Sequence, residues 1–222
     1  MSADRLAAAR YAIEQLKCDL VISDDGLQHY RLPRQLEFAV VDAKRCMGNA
    51  YLMPIGPLRE APSRLNEVDF IILNGQLDNT ACRATLPVQS TPVFAMQLVP
   101  RHWRNIATGE IVALEVFDFQ NAVALAGIGN PQRFQDTLKD LGFLGAFYAF
   151  PDHHSFVAAD LVFAEGKRVV MTAKDAVKCE AFCRGREPSI KDAWCLDVVA
   201  ELSDEASEQI STRCERLKKH VI

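Results

Sequence analysis

No stretch of this 222-residue chain approaches the roughly 20 consecutive apolar residues that a membrane-spanning helix needs. The opening Met-Ser-Ala-Asp-Arg lacks the layout of a signal peptide, so neither a leader nor a membrane segment is expected. There is no excess of positive charge. With 25 Lys and Arg against 29 Asp and Glu, the formal charge is −4 and the pI about 5.8, which leaves no general basic field and argues against nucleic acid as a partner. Paired cysteine spacings are missing too: the seven cysteines, Cys18, Cys46, Cys82, Cys179, Cys183, Cys195 and Cys214, are odd in number and scattered. They read as reduced thiols of a cytoplasmic protein, most of them filling core positions. Nor is there a Gly-x-x-x-x-Gly-Lys-Ser/Thr; Gly166-Lys167 runs into Arg168, and position 161 is Leu161.

What is present suits a globular α/β protein. Hydrophobic residues make up 49% of the chain, enough to fill one large core or two small ones. Leu6, Ala9, Ile13 and Leu16 give Asp4 to Lys17 a helical period, and short apolar runs at Leu20–Ser23, Glu37–Asp42 and Phe70–Leu73 predict three strands, half of a parallel sheet. The first run delivers Asp24 and Asp25 to a strand end, with Gly26 allowing a sharp turn after them. A carboxylate at a strand's carboxyl end is how nucleotide-bound Mg²⁺ is held in phosphoryl-transfer sites, and a neighbour can orient the nucleophile. Asp-Asp-Gly is also a common turn in proteins that bind no metal. Gln28, His29 and Tyr30 add donors and acceptors that a simple turn does not need.

Between the second and third strands, the Gly- and Pro-rich loop from Arg45 to Glu60 has the length of a functional loop. Arg45, Arg59 and Arg64 are candidates to clamp a phosphate, with Glu60 orienting one of them or a water; a solvated loop with surface ion pairs is the alternative. Gln76 to Pro92 reads as a linker, and Phe94–Leu98 with Glu110–Leu114 as a hairpin around the Asn105–Gly109 turn. Val123–Ala126 opens a second α/β unit through Gly127-Ile-Gly129, with Asn130 capping a helix begun by Pro131. Gln132 stands where a dinucleotide fingerprint needs Gly, so the glycines more readily serve a tight strand-to-helix turn. Asp152-His153-His154, after a strand at Ala146–Phe150, suits proton handling near neutral pH. Val169 to Lys178 reads as a strand turning into a helix at Thr172.

Taken in order, Asp24-Asp-Gly-Leu-Gln-His-Tyr30, Gly48-Asn49, Pro54-x-Gly-Pro-Leu-Arg-Glu60, Arg64-Leu65, Ala126-Gly-Ile-Gly129 with Pro131 and Arg133-Phe134, Asp152-His153, and Met171-Thr-x-Lys-Asp-Ala-Val-Lys-Cys179 resemble the tetraacyldisaccharide 4'-kinase family over essentially the whole chain. The resemblance implies ATP- and Mg²⁺-dependent phosphorylation of the 4'-hydroxyl of a tetraacylated glucosamine disaccharide 1-phosphate, a lipid A precursor, in the cytoplasm at the inner-membrane surface. By analogy, Asp24 and Asp25 look like the Walker B acids and metal ligands. Glu60 and His29 would line the same site, Gln28, Arg59 and Arg64 would contact substrate or phosphate, and His153 resembles the family histidine that assists the base.

The family's P-loop and an aspartate regarded as the base precede the matched region, so impaired activity is expected of this chain alone. Ala173 replaces the usual Glu of Thr-Glu-Lys-Asp. A non-catalytic nucleotide-binding module and an interaction remnant are the rival readings. The expected architecture is an incomplete P-loop-type parallel lobe over residues 1–92, a two-stranded linker over 93–115, and a Rossmann-like lobe over 116–222 ending in a helix from Ser203 to His220. The chemistry is expected where His153 meets Asp24, Asp25 and Glu60.

Overall fold

The computed structural model describes residues 4–75, 80–184 and 190–218. Its chain forms two compact units, one made of the residues up to Gln97 together with those from Glu201 onward, the other spanning Leu98–Ala200. The fold is α/β with mostly parallel strand pairs.

In the first unit, Asp4 caps helix α1 (Arg5–Glu14) by accepting from the Leu6 and Ala7 amides. Strand β1 (Phe38–Asp42) pairs in parallel with β2 (Phe70–Asn74), and β2 with the start of β3 (Val93–Asn105). Residues Phe70-Ile-Ile-Leu73 are all buried, as a strand covered on both faces requires. One face packs on Ala39, Val41, Leu65 and Val68, together with Cys82 and Leu86 from and after helix α2 (Thr80–Thr85). The other face packs on Phe94 and on Ala206 of helix α5 (Asp204–Lys218). Ser203 caps α5 through its Oγ, as predicted; Lys219 and His220, the expected end of that helix, lie outside the described residues.

The second unit holds β4 (Ile111–Val112), β5 (Ala122–Ala126), α3 (Pro131–Asp140), β6 (Ala146–Ala149), β7 (Arg168–Thr172), α4 (Ala173–Cys183) and most of β8 (Asp192–Leu202). The strand order β8-β7-β5-β6 is parallel throughout, with β3 beside β8 and β4 antiparallel to β3. Helix α3 starts where expected, the Asn130 side chain accepting from the Arg133 amide, and it buries Phe134 and Leu138. Each of those side chains is worth about 2 kcal/mol of apolar burial. Cys179, Cys183 and Cys195 are buried among Leu125, Val169 and Met171, and burial pushes their thiols up to about 12, about 11 and about 12.

Four expectations are corrected. Leu20–Ser23 is not a buried strand: Leu20 and Ile22 are 74% and 85% exposed, and no described strand pairs with the segment. Apolar content marks a candidate strand, but only a neighbouring ladder satisfies its backbone. The stretch read as a linker contains α2, anchored by buried Cys82 and Leu86. Not all cysteines are free thiols, because α2 brings Cys82 to a Cα–Cα distance of 5.5 Å from Cys46, where the two form a disulfide. The hairpin is also displaced: β3 runs on to Asn105 and meets β4 at Trp103↔Val112, while the turn at Asn105–Glu110 forms where expected. β3 and β8 are the strands that cross the division between the units, and helix α5 lies in the first unit.

Candidate active site

In the first unit, the residues after Ile22 form a tight turn whose carbonyls face arginines. Arg5 Nη1 donates to the carbonyls of Asp24 and Asp25, both at 3.0 Å, and Arg34 Nη1 donates to those of Gly26 at 2.8 Å and Leu27 at 3.1 Å. Asp25 takes a left-handed φ of 49°, a conformation that non-glycine residues adopt rarely, aspartate more readily than most. Both acids are exposed. Asp24 Oδ1 accepts the Asp25 amide at 3.0 Å, and no described cation pairs with either carboxylate. Two adjacent carboxylates left open in this way fit Mg²⁺, which is held through one or two carboxylates with water and substrate phosphates completing its shell. Among the described residues no cluster of three or more metal-binding side chains occurs.

Glu60 is brought to the same segment. Its Oε1 accepts Gln28 Nε2 at 2.7 Å and its Oε2 accepts the Tyr30 hydroxyl at 2.6 Å, while Arg64 Nε stands 3.5 Å from Oε2. The Tyr30 hydroxyl first, then Gln28 and the guanidinium of Arg64, hold the carboxyl below its usual range, against a smaller opposing push from burial. Reciprocally, the Glu60 carboxylate raises the Tyr30 phenol.

The basic candidates separate. Arg64 is tied to Glu37 (2.9 and 3.0 Å) and faces Glu67 at 3.5 Å, so its guanidinium braces the protein. Arg59 is exposed and makes no ion pair among the described residues, which leaves it available to a ligand. His29 is exposed, its amide closing the turn on the Gly26 carbonyl at 2.8 Å.

In the second unit the chain order of strands reverses between β5 and β7, and the carboxyl ends of such strands are where open α/β sheets carry ligands. Gly127–Asn130 and Thr172–Lys178 lie at these ends, and Asp152–His154 follow β6. The two histidines have different fates. His154 Nε2 lies 2.8 Å from Asp160 Oδ2, and its ring stacks on Phe150 and meets Phe156 edge-on. That is a structural setting. His153 is 93% exposed, with a left-handed φ of 58° and Nε2 at 3.7 Å from Asp152 Oδ2, so its imidazole is presented to solvent.

Asp175, which the sequence places at the carboxyl end of the Val169 strand without naming its partners, is fully buried, accepts from Thr172 Oγ1 at 2.7 Å and pairs with Lys178 Nζ at 3.2 Å. The same Nζ donates to the Gly127 carbonyl at 2.9 Å. A Cβ at Gly127 would sit 3.2 Å from Phe156 and 3.3 Å from Asp175, and one at Gly129 would sit 3.1 Å from Asp152. Close packing of this turn gives a reason for glycine at both positions.

Residues 1–215 match the family model for tetraacyldisaccharide-1-P 4'-kinase. A tetraacyldisaccharide 4'-kinase of Hahella chejuensis is 40% identical over 216 residues, covering 97% of this chain and 59% of that protein. One of Pasteurella multocida is 42% identical over 224 residues, covering 100% of this chain and 63% of its own length. The crystal structure of LpxK from Aquifex aeolicus in complex with ATP superposes with a TM-score of 0.71 at 26% identity, covering 97% of this chain and 62% of that one. The chain thus spans about three-fifths of the length of the curated relatives it matches.

Proposed function

The chain belongs to the tetraacyldisaccharide-1-P 4'-kinase family, and we propose that it serves ATP-dependent phosphorylation of the 4'-hydroxyl of an acylated glucosamine disaccharide 1-phosphate. The observation that carries this reading is the Asp24-Asp25 turn: two open carboxylates, one at a left-handed φ, on a backbone whose four successive carbonyls are held by Arg5 and Arg34. Phosphoryl transfer asks a protein mainly for positioning and charge stabilisation, and a rigid pair of carboxylates meets the first demand.

Asp24 and Asp25 would hold Mg²⁺, which when bound supplies charge neutralisation at the nucleotide phosphates. Arg59 is the exposed guanidinium suited to a phosphate. Glu60, ionised and gripped by Gln28 and Tyr30, fixes the segment next to the carboxylates and can accept a hydrogen bond from a water or sugar hydroxyl. His29 lies on the same turn. His153 is our assignment for proton handling, since its imidazole is exposed while that of His154 is held by Asp160. ATP is named for the Aquifex aeolicus structure, and its role as phosphoryl donor here is part of the proposal. Use of a lipid at the inner-membrane face is likewise proposed from the family; no helix among the described residues is long and apolar enough to cross a membrane.

The test joins this chain to the P-loop segment of a relative and measures transfer from ATP to the acylated disaccharide. Asp24→Asn and Asp25→Asn are each expected to lower turnover roughly 100-fold or more, and His153→Ala by about the same factor with little change in Mg·ATP affinity. Full turnover with both aspartates replaced would remove the reading.

A further inference from the structure

The Asp24–Tyr30 segment and Glu60 are far apart in sequence, Gln28 and Glu60 being separated by 32 residues, yet a row of alternating charges joins them within the first unit. Arg34 Nη1, already on the Gly26 and Leu27 carbonyls, also lies 2.9 Å from Glu37 Oε1. Glu37 takes Arg64 Nη2 on both oxygens, at 3.0 and 2.9 Å, and Arg64 faces Glu60. Gln28 and Tyr30 close the ring from Glu60 back to the turn. The ring also has a fixed footing, because the Glu37 amide donates to Asp69 Oδ2 at 2.9 Å and its carbonyl accepts the Phe70 amide at the start of β2.

Ion pairs of this kind add little net stability, since desolvation and side-chain ordering offset most of the attraction. What they supply here is geometry. One guanidinium nitrogen, Arg34 Nη1, standing within 3.1 Å of two carbonyls and a carboxylate, fixes the turn against Glu37 in a way that an apolar contact does not.

We propose that Arg34 and Glu37 are positioning residues of the candidate site, setting the Asp24–Leu27 turn and the Glu60 carboxylate at one separation although neither hydrogen-bonds to the carboxylates of Asp24, Asp25 or Glu60. This rests on the kinase reading for its purpose, but the tie itself is a property of the chain. Arg34→Met removes the donor while keeping an apolar stem, and Arg34→Lys keeps the charge on a shorter side chain that does not reach the position of Nη1.

Hydrogen exchange on the 222-residue protein is expected to show amides of residues 24–30 and 58–64 speeding up together, roughly tenfold, in both variants, with β1 and β2 unchanged. The carboxyl ¹³C titration of Glu60, whose charged neighbours are Arg64 and Arg34 and whose hydrogen-bond donors are Gln28 and Tyr30, is expected to move to higher pH in Arg34→Met. Losing the Arg34 charge moves that titration by itself, so the deciding variant is Arg34→Lys: a purely local role leaves the Glu60 titration there where it is in the unmutated protein, and a positioning role moves it upward. Exchange confined to residues 32–38, or rising uniformly through every strand, overturns the proposal. Phosphoryl transfer is scored separately: an unmutated enzyme that transfers nothing counts against the kinase reading, and the paired exchange still decides the tie.

Discussion

Glu60 shows how a single side chain is fitted to its ionised form. Both oxygens receive donors, a hydroxyl and an amide, and a guanidinium stands nearby, so its folded pKa lies below the ordinary glutamate value. A carboxyl shifted down in the folded state stabilises the protein above its unfolded pKa, and that contribution is lost as pH falls through the folded value. Tyr30→Phe removes the largest of the lowering contacts, so the folded pKa should rise and the contribution should vanish at a higher pH than in the unmodified protein. Carboxyl ¹³C chemical shifts across pH 2 to 6 read this directly. An unmoved Glu60 titration would mean that the hydroxyl is not its partner in solution.

Among the elements, α4 depends on a buried carboxylate. Asp175 accepts from Thr172, the N-cap of α4, and from Lys178 one turn on, and Lys178 reaches the end of β5 at the Gly127 carbonyl. Asp175→Ala leaves a half-buried ammonium without its counter-charge, and denaturant unfolding should show a loss of about 3 kcal/mol. Asp175→Asn keeps the shape and should lose less. A second element-scale prediction concerns the loop after β1, which Cys46 fastens to α2 through Cys82 over a separation of 36 residues. By loop-closure entropy that bond restrains the unfolded chain by about 4 kcal/mol. Dithiothreitol should therefore lower the denaturation midpoint, Cys46→Ala/Cys82→Ala should match the reduced protein, and equal midpoints with and without reductant would show that the bond does not form.

The sequence made local elements legible because their signals are local. Asn130-Pro131 before Phe134 and Leu138, Ser203 before α5, and the all-apolar Phe70–Leu73 each specify their own structure. Strand β8 went unread because its buried Ala193–Leu196 is followed by exposed positions from Val198 to Glu201, so no single period describes it. The run before Asp24 misled for the opposite reason, its apolar residues being strand-like without a described strand beside them. At the candidate site, Asp24, Asp25 and Glu60 stood out by residue type. The link from Glu37 to Arg64 did not, since charges 27 residues apart carry no sequence sign that they meet.

At the scale of the molecule, the proposed reading calls for a nucleotide site that the residues at hand supply only in part. The chain spans about three-fifths of its relatives' length, and its 222 residues contain no Walker A sequence. Asp24 and Asp25 offer two carboxylates, but Mg²⁺ gives up its water reluctantly and is held in such sites jointly by carboxylates and by phosphates that the protein must itself cradle. Without backbone amides and a lysine around the β- and γ-phosphates, most of the favourable electrostatic energy of nucleotide binding is absent. Titration calorimetry of Mg·ATP into the 222-residue chain is therefore expected to give little or no heat. The same titration after joining a relative's P-loop segment should give measurable binding that Asp24→Asn or Asp25→Asn weakens. Tight binding by the 222 residues alone, unaffected by those two substitutions, would mean that the nucleotide is held elsewhere in the chain and that the Asp-Asp turn is not its metal site.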